Sequence, residues 1–175
     1  MTSKPRALLI GGTAGLGAVF AAPALAAPAL MDVTVNIPRL TVAEYHRPYV
    51  AIWVEKEGAA PKTAAVWYDV DLKANEGTKW LRDIRQWWRV SGRAMTFPAR
   101  GISSATRAPG SHKISFTRAQ LGAAAPGAYV LVVEAAREVG GRELLRIPFT
   151  WPGKAGAGGR AQGRSELGLV SVAFR

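Results

Sequence analysis

Seven short runs of β-forming residues, each closed off by glycine, proline or a polar loop, set the strongest limit on how this chain folds. Residues 31–38, MDVTVNIP, alternate strictly, with Val33, Val35 and Ile37 on one side and Asp32, Thr34 and Asn36 on the other. That is the period of a half-buried strand, and Pro38 ends it or marks an edge. Residues 48–55 (PYVAIWVE) and 62–70 (KTAAVWYDV) flank a turn at 58–61 and predict a hairpin. Residues 112–117 (HKISFT) alternate again, and 128–135 (AYVLVVEA) are a strongly apolar run. Gly140-Gly141 predicts a tight two-residue turn into a strand over 142–150, and 166–174 (ELGLVSVAF) is the last run. No βαβ alternation and no internal repeat is present. Short strands at this spacing predict a mainly β fold, an Ig-like β-sandwich of about seven strands.

One stretch breaks the β period. Residues 78–90, TKWLRDIRQWWRV, hold three tryptophans and three arginines. At the helical period Trp80, Leu81, Ile84, Trp87 and Trp88 fall within an arc of about 120°, the width of a core-facing stripe. Arg82, Arg85 and Arg89 fall on the opposite side. As a strand the segment would mix both residue types on one face, so we expect one amphipathic crossover helix with Thr78 as N-cap. Its tryptophans should be buried on the sandwich. Its arginines should face solvent and meet an acidic partner or an anionic membrane surface.

The first residues carry an address. Lys4 and Arg6 precede an uncharged apolar run over 7–21, and Ala24-Leu25-Ala26 supplies the small-x-small pattern of signal peptidase sites. The run is shorter than the roughly 20 apolar residues a spanning helix needs. We therefore expect a signal peptide over 1–26, cleaved near Ala26, and a single β-sandwich domain over 27–175 exported to a bacterial periplasm. A domain of this size can bury a real core without disulfides, and the chain has no cysteine. That composition also excludes thiol nucleophiles, thiolate metal sites and covalent c-type haem. Removing the signal leaves 21 basic against 12 acidic residues. The basic residues are scattered, and an exported chain rarely meets nucleic acid, so we expect none as a partner. The stretch 153–164, GKAGAGGRAQGR, is glycine-rich and basic and predicts a mobile surface loop.

Catalytic patterns do not emerge. No serine lies in a G-x-S-x-G elbow, no carboxylate pair stands out, and GKAGAGGR lacks the order of a phosphate loop. Asp69-x-Asp71 with Asn75 and Glu76 lacks calcium-loop spacing and reads as a solvated loop. The two histidines, His46 and His112, read as surface or strand-end residues. The expectation is a non-catalytic module with no cofactor. The alternative is a carrier of a small ligand, haem or metal. Its candidate residues are His46 and Arg47 at the mouth of a strand, with Trp53 and Trp67 on facing strands as a platform.

Two pairs of segments carry a family resemblance. RPYVAIWVEKEGAAPKTAAVWYD with KWLRDIRQWWR, and SSATRAPGSHKISFTRAQLGAAAPGAYVLVVEAARE with ELGLVSVAF, resemble the predicted periplasmic proteins of domain of unknown function 2271. The second pair is also similar to the fibronectin-type sandwich of the flagellar hook-capping family. The resemblance implies an exported, β-rich protein. It also implies a membrane or periplasmic partner, through association with PepSY-type membrane proteins and flavin-transfer proteins of redox or iron-related systems. The chain departs from the family pattern at Phe116-Thr117, Gln120 and Arg100, where acids or an aromatic-acidic pair are usual. If those acids bind a cation in relatives, this member lacks the site.

Overall fold

The computed structural model describes residues 30–121 and 125–175. The signal peptide, its cleavage site and Gly122–Ala124 of the expected turn lie outside the described residues. The fold is a sandwich of two antiparallel sheets with one parallel edge pair. A four-stranded sheet has the order β5-β1-β9-β8, built from Gly110–Thr117, Leu30–Ile37, Leu169–Phe174 and Arg160–Gln162. A five-stranded sheet has the order β4-β3-β2-β6-β7, built from Ser103–Ser104, Lys62–Trp67, Tyr49–Glu55, Gly127–Ala136 and Arg142–Trp151.

The pairing follows an Ig-type plan. The strands β3, β2, β6 and β7 take the C′, C, F and G positions, and β1 and β5 take B and E. The position beside B, where such a domain has its first strand, is filled by β9, the last strand described, with β8 outside it. Leu30 and Arg175 exchange two backbone hydrogen bonds at 3.2 and 3.0 Å beside this pair.

Two apolar layers account for the strand sequences. Between the sheets lie Val33, Val35, Ile52, Leu131, Val133, Ile147, Val172 and their neighbours. A second cluster sits on the outer face of the five-stranded sheet, where Tyr49, Ala51, Trp53, Val66 and Val132 meet Leu81, Ile84 and Trp87. Strands β2 and β6 are thus covered on both faces, which is why they read as nearly continuous apolar runs rather than alternating ones. Strand β1 has one wet face and alternates.

The helical region covers that outer face but is not one helix. Residues Lys73–Asp83 form a 3-10 segment interrupted by left-handed Ala74 and Asn75, and helix α1 runs only over Arg85–Val90. A further short helix, α2, is Arg118–Leu121. The break at Ile84 (φ −77°, ψ 73°) has a tertiary cause. The Glu134 carboxylate on β6 accepts the backbone N–H groups of Gln86 at 3.0 Å and Trp87 at 2.8 Å, and a continuous helix would commit those groups to the preceding turn. Thr78 is accordingly no N-cap; its hydroxyl donates to the Asn75 carbonyl at 2.7 Å. Leu81, Ile84 and Trp87 are buried as expected, whereas Trp80 leaves the stripe and is 43% exposed.

Three other expectations change. The glycine-rich stretch contributes β8, which pairs with β9, and residues before it follow β9 through Gly156 N–H to Phe174 O (3.1 Å) and Val172 N–H to Gly159 O (2.8 Å). Its composition reflects close approach: a Cβ on Gly158 would stand 1.7 Å from the Val172 carbonyl oxygen. The connection over 93–111 holds β4, pairing in parallel with β3. The β6–β7 turn is not a two-residue Gly140-Gly141 turn. Five residues lie between Ala136 and Arg142, closed by Arg137 N–H to Gly141 O (3.1 Å), and the left-handed residue is Val139 (φ 51°).

Candidate binding cleft

Register brings the candidate site together. Tyr49 at the start of β2 pairs with Ala136 at the end of β6, so the β1–β2 connection and the β6–β7 turn lie side by side. The 3-10 segment crosses beside them. Between these elements is a cleft of about 290 Å³. Tyr45, His46 and Arg47 line it from the β1–β2 connection, and Arg137 and Glu138 from the turn. Trp80 and Asp83 close it from the 3-10 segment, and Asp69 and Thr106 line it beside Tyr49.

Most of the polar groups here are tied to one another. The Asp69 carboxylate accepts the Tyr49 hydroxyl at 3.3 Å and the Thr106 hydroxyl at 3.1 Å. Burial, with the Asp69 charge beside it, holds the Tyr49 phenol well above its ordinary value, so it remains a neutral donor. Gly77 sits on the Asp69 backbone so closely that a Cβ would lie 2.1 Å from its carbonyl oxygen. That contact seats the 3-10 segment against the strand end. Arg137 is itself nearly buried and pairs with buried Glu166 through Nε at 3.0 Å and Nη2 at 3.2 Å. The Glu166 carboxylate also accepts the Gly141 N–H at 2.9 Å, which fixes the turn.

His46 stands between two carboxylates, with Nε2 2.8 Å from Glu44 Oε1 and Nδ1 3.5 Å from Glu138 Oε2. A metal or haem iron on either nitrogen would have to displace a carboxylate partner. Among the described residues no group of three or more His, Asp or Glu is placed to hold a metal ion. The Tyr45 hydroxyl is buried without a hydrogen-bond partner, and burial pushes its pKa up. Arg47 is exposed and has no ionic partner among the described residues.

His46 and Arg47, singled out in the sequence, therefore share this cleft. Trp53 and Trp67 do not. They project from opposite faces of the five-stranded sheet into separate clusters, at 0% and 1% exposure. The Trp53 indole N–H donates to Glu55 at 2.8 Å, and Trp67 is flanked by the His112 ring and the Arg107 guanidinium. The indole that lines the cleft is Trp80. Arg85 borders the neighbouring groove along the β6–β7 turn, while Arg82 and Arg89 lie outside both. Sequence reasoning missed Tyr45, Tyr49, Asp69, Thr106 and Arg137. The segment YHRPY carried two tyrosines around His46 as a signal, but Asp69 and Thr106 are joined to it only by sheet register.

A family model described as "Predicted periplasmic protein (DUF2271)" matches residues 30–169. No curated protein and no solved structure matches the chain, and no comparison supports the likeness to the hook-capping family. No helix among the described residues is long and apolar enough to cross a membrane.

Proposed function

Because the chain belongs to the DUF2271 family of predicted periplasmic proteins, we propose that it is an exported binding module. It serves as a non-catalytic accessory to a membrane or periplasmic protein of a redox, flavin or iron-related system. The observation that carries this reading is the division of labour in the cleft. Asp69, His46 and Arg137 are committed to internal partners, whereas Arg47 is unpaired and Trp80 presents an exposed indole. Internally paired groups give a rigid frame, and a free guanidinium beside a half-exposed aromatic gives a recognition pair. The occupant is a partner segment or small ligand with an anionic group for Arg47 and a flat or apolar group for Trp80.

Site-specific photocrosslinking in the periplasm tests this. A crosslinker at position 80 should capture a discrete membrane or periplasmic protein, and Arg47→Ala should reduce the yield. A crosslinker at Leu169, exposed on the other sheet, should capture none. Equal capture from both positions, or none from position 80, counts against the reading.

A further inference from the structure

The helical layer over the five-stranded sheet carries a charge pattern that the cleft does not use. Lys79, Arg82, Arg85, Arg89 and Arg93 are all exposed along it. Elsewhere, five cations are neutralised by carboxylates: Arg137 by Glu166, Arg142 by Glu134, Arg146 by Glu55, and Lys113 and Arg175 by Asp32. On the helical layer Lys79 alone has such a partner, Glu76 at 2.9 Å. Arg89 meets only the neutral amide of Gln86, and Arg82, Arg85 and Arg93 have no ionic partner among the described residues. The layer's apolar side chains Leu81, Ile84 and Trp87 are buried against the sheet, which fixes Arg82, Arg85 and Arg89 on the outward side. Trp80 and Val90, near the two ends of the arginine row, are partly exposed.

We propose that this ridge docks on an anionic phospholipid bilayer, with the arginine row against the headgroups. Arg82, Arg85 and Arg89 lie outside the cleft, whose lining takes only Trp80 and Asp83 from this layer. Arg82, Arg85, Arg89 and Arg93 form a row along one outermost layer without carboxylate partners, a spread of charge that suits a fluid, laterally uniform anionic surface. Since the apolar stripe is already buried on the sheet, attachment is mainly electrostatic, reversible and sensitive to salt.

Co-sedimentation of the exported chain with vesicles tests the proposal. The probes are phosphatidylcholine alone and phosphatidylcholine mixed with phosphatidylglycerol. The chain should bind the mixed vesicles at low ionic strength and release near 0.5 M salt. Reversing Arg82, Arg85 and Arg89 to glutamate should lower partitioning by about a hundredfold or more, since each basic residue near such a surface contributes about fivefold. The matched control Lys154→Glu/Arg160→Glu/Arg164→Glu makes the same change in net charge away from the ridge and should retain most binding. Circular dichroism confirms that both variants remain folded. Equal binding to the two vesicle types, an equal loss in both variants, or capture of an acidic soluble protein without vesicle binding would each overturn the proposal. Since the vesicles contain no protein, the outcome is independent of whether the cleft has a protein partner.

Discussion

The fully buried carboxylate of Glu134 accepts the backbone N–H of Trp87 at 2.8 Å. A charge from the middle of a sheet thus starts a helix on that sheet's outer face. The same carboxylate takes the Gln86 N–H and pairs with Arg142 on β7 at 2.6 Å. Trp87 is held at a second point, its indole N–H donating to Thr63 at 3.0 Å.

Glu134→Ala removes that anchor and leaves two helix-start N–H groups and Arg142 without their acceptor. Arg142 is half-exposed and can be solvated, but each buried N–H left without an acceptor costs about 1–3 kcal/mol, about 2–5 kcal/mol for the two. We expect a loss of that size in urea unfolding, and a smaller one for Glu134→Gln, which keeps an amide oxygen for one N–H. Equal stability of the alanine variant and the parent would show that the helical layer is held by apolar contact alone.

The tryptophans should separate into two classes. Trp53→Ala and Trp67→Ala empty the two clusters and should each cost about 3–5 kcal/mol. Trp80→Ala should cost about 1 kcal/mol or less, as for a surface side chain, yet weaken partner capture at the cleft. Denaturant melts combined with capture yield from a crosslinker at position 47 distinguish these outcomes.

How much of this was legible beforehand follows the range of the forces involved. Strand β1 and the β2–β3 and β6–β7 hairpins are local events, and alternation with turn residues predicts them. Helix α1 was legible as an apolar arc, but its start was not, because Glu134 lies far from it in sequence and reads as one acid within an apolar strand. Trp80 was misplaced for the same reason: once the helix begins after Ile84, the residues before it no longer follow its period. The glycine-rich stretch was misread because glycine signals either freedom or tight contact, and only the Val172 carbonyl beside Gly158 decides between them. Within the cleft, His46 and Arg47 were visible as polar residues at a strand mouth, while Asp69 and Thr106 join them through sheet register alone.

Acid should destabilise the fold through Asp32. The guanidinium of Arg175, then Lys113 and Ser115, hold its carboxyl well below the usual carboxylate range. The unfolded carboxyl titrates near 4, so the folded state binds fewer protons as pH falls below that value. The stabilisation is therefore complete above about pH 4 and declines progressively toward the lowered folded value. Urea midpoints measured from pH 6 to pH 2 should fall over that window. Asp32→Asn should be less stable at neutral pH and show a shallower acid decline. A parallel decline in both proteins would assign the acid sensitivity to other groups.

Gly77→Ala tests the seat of the cleft. Its Cβ would overlap the Asp69 carbonyl, so either the 3-10 segment or the end of β3 must move. We expect a cost of about 1–3 kcal/mol, as for other overpacked sites, and lower capture yield at position 80. Unchanged capture would mean that the geometry around Asp69 does not set recognition.

The position of β9 has a further consequence. It lies between β1 and β8, so the interior of the four-stranded sheet pairs Leu30–Ile37 with Leu169–Phe174 across most of the described sequence. Without β9, β1 would have only β5 as a neighbour, and Val33 and Val35 would lack the Val172 and Val170 that pair beside them on the same face. The four-stranded sheet thus depends on pairing strands that lie far apart in sequence, the kind of non-local contact that slows folding.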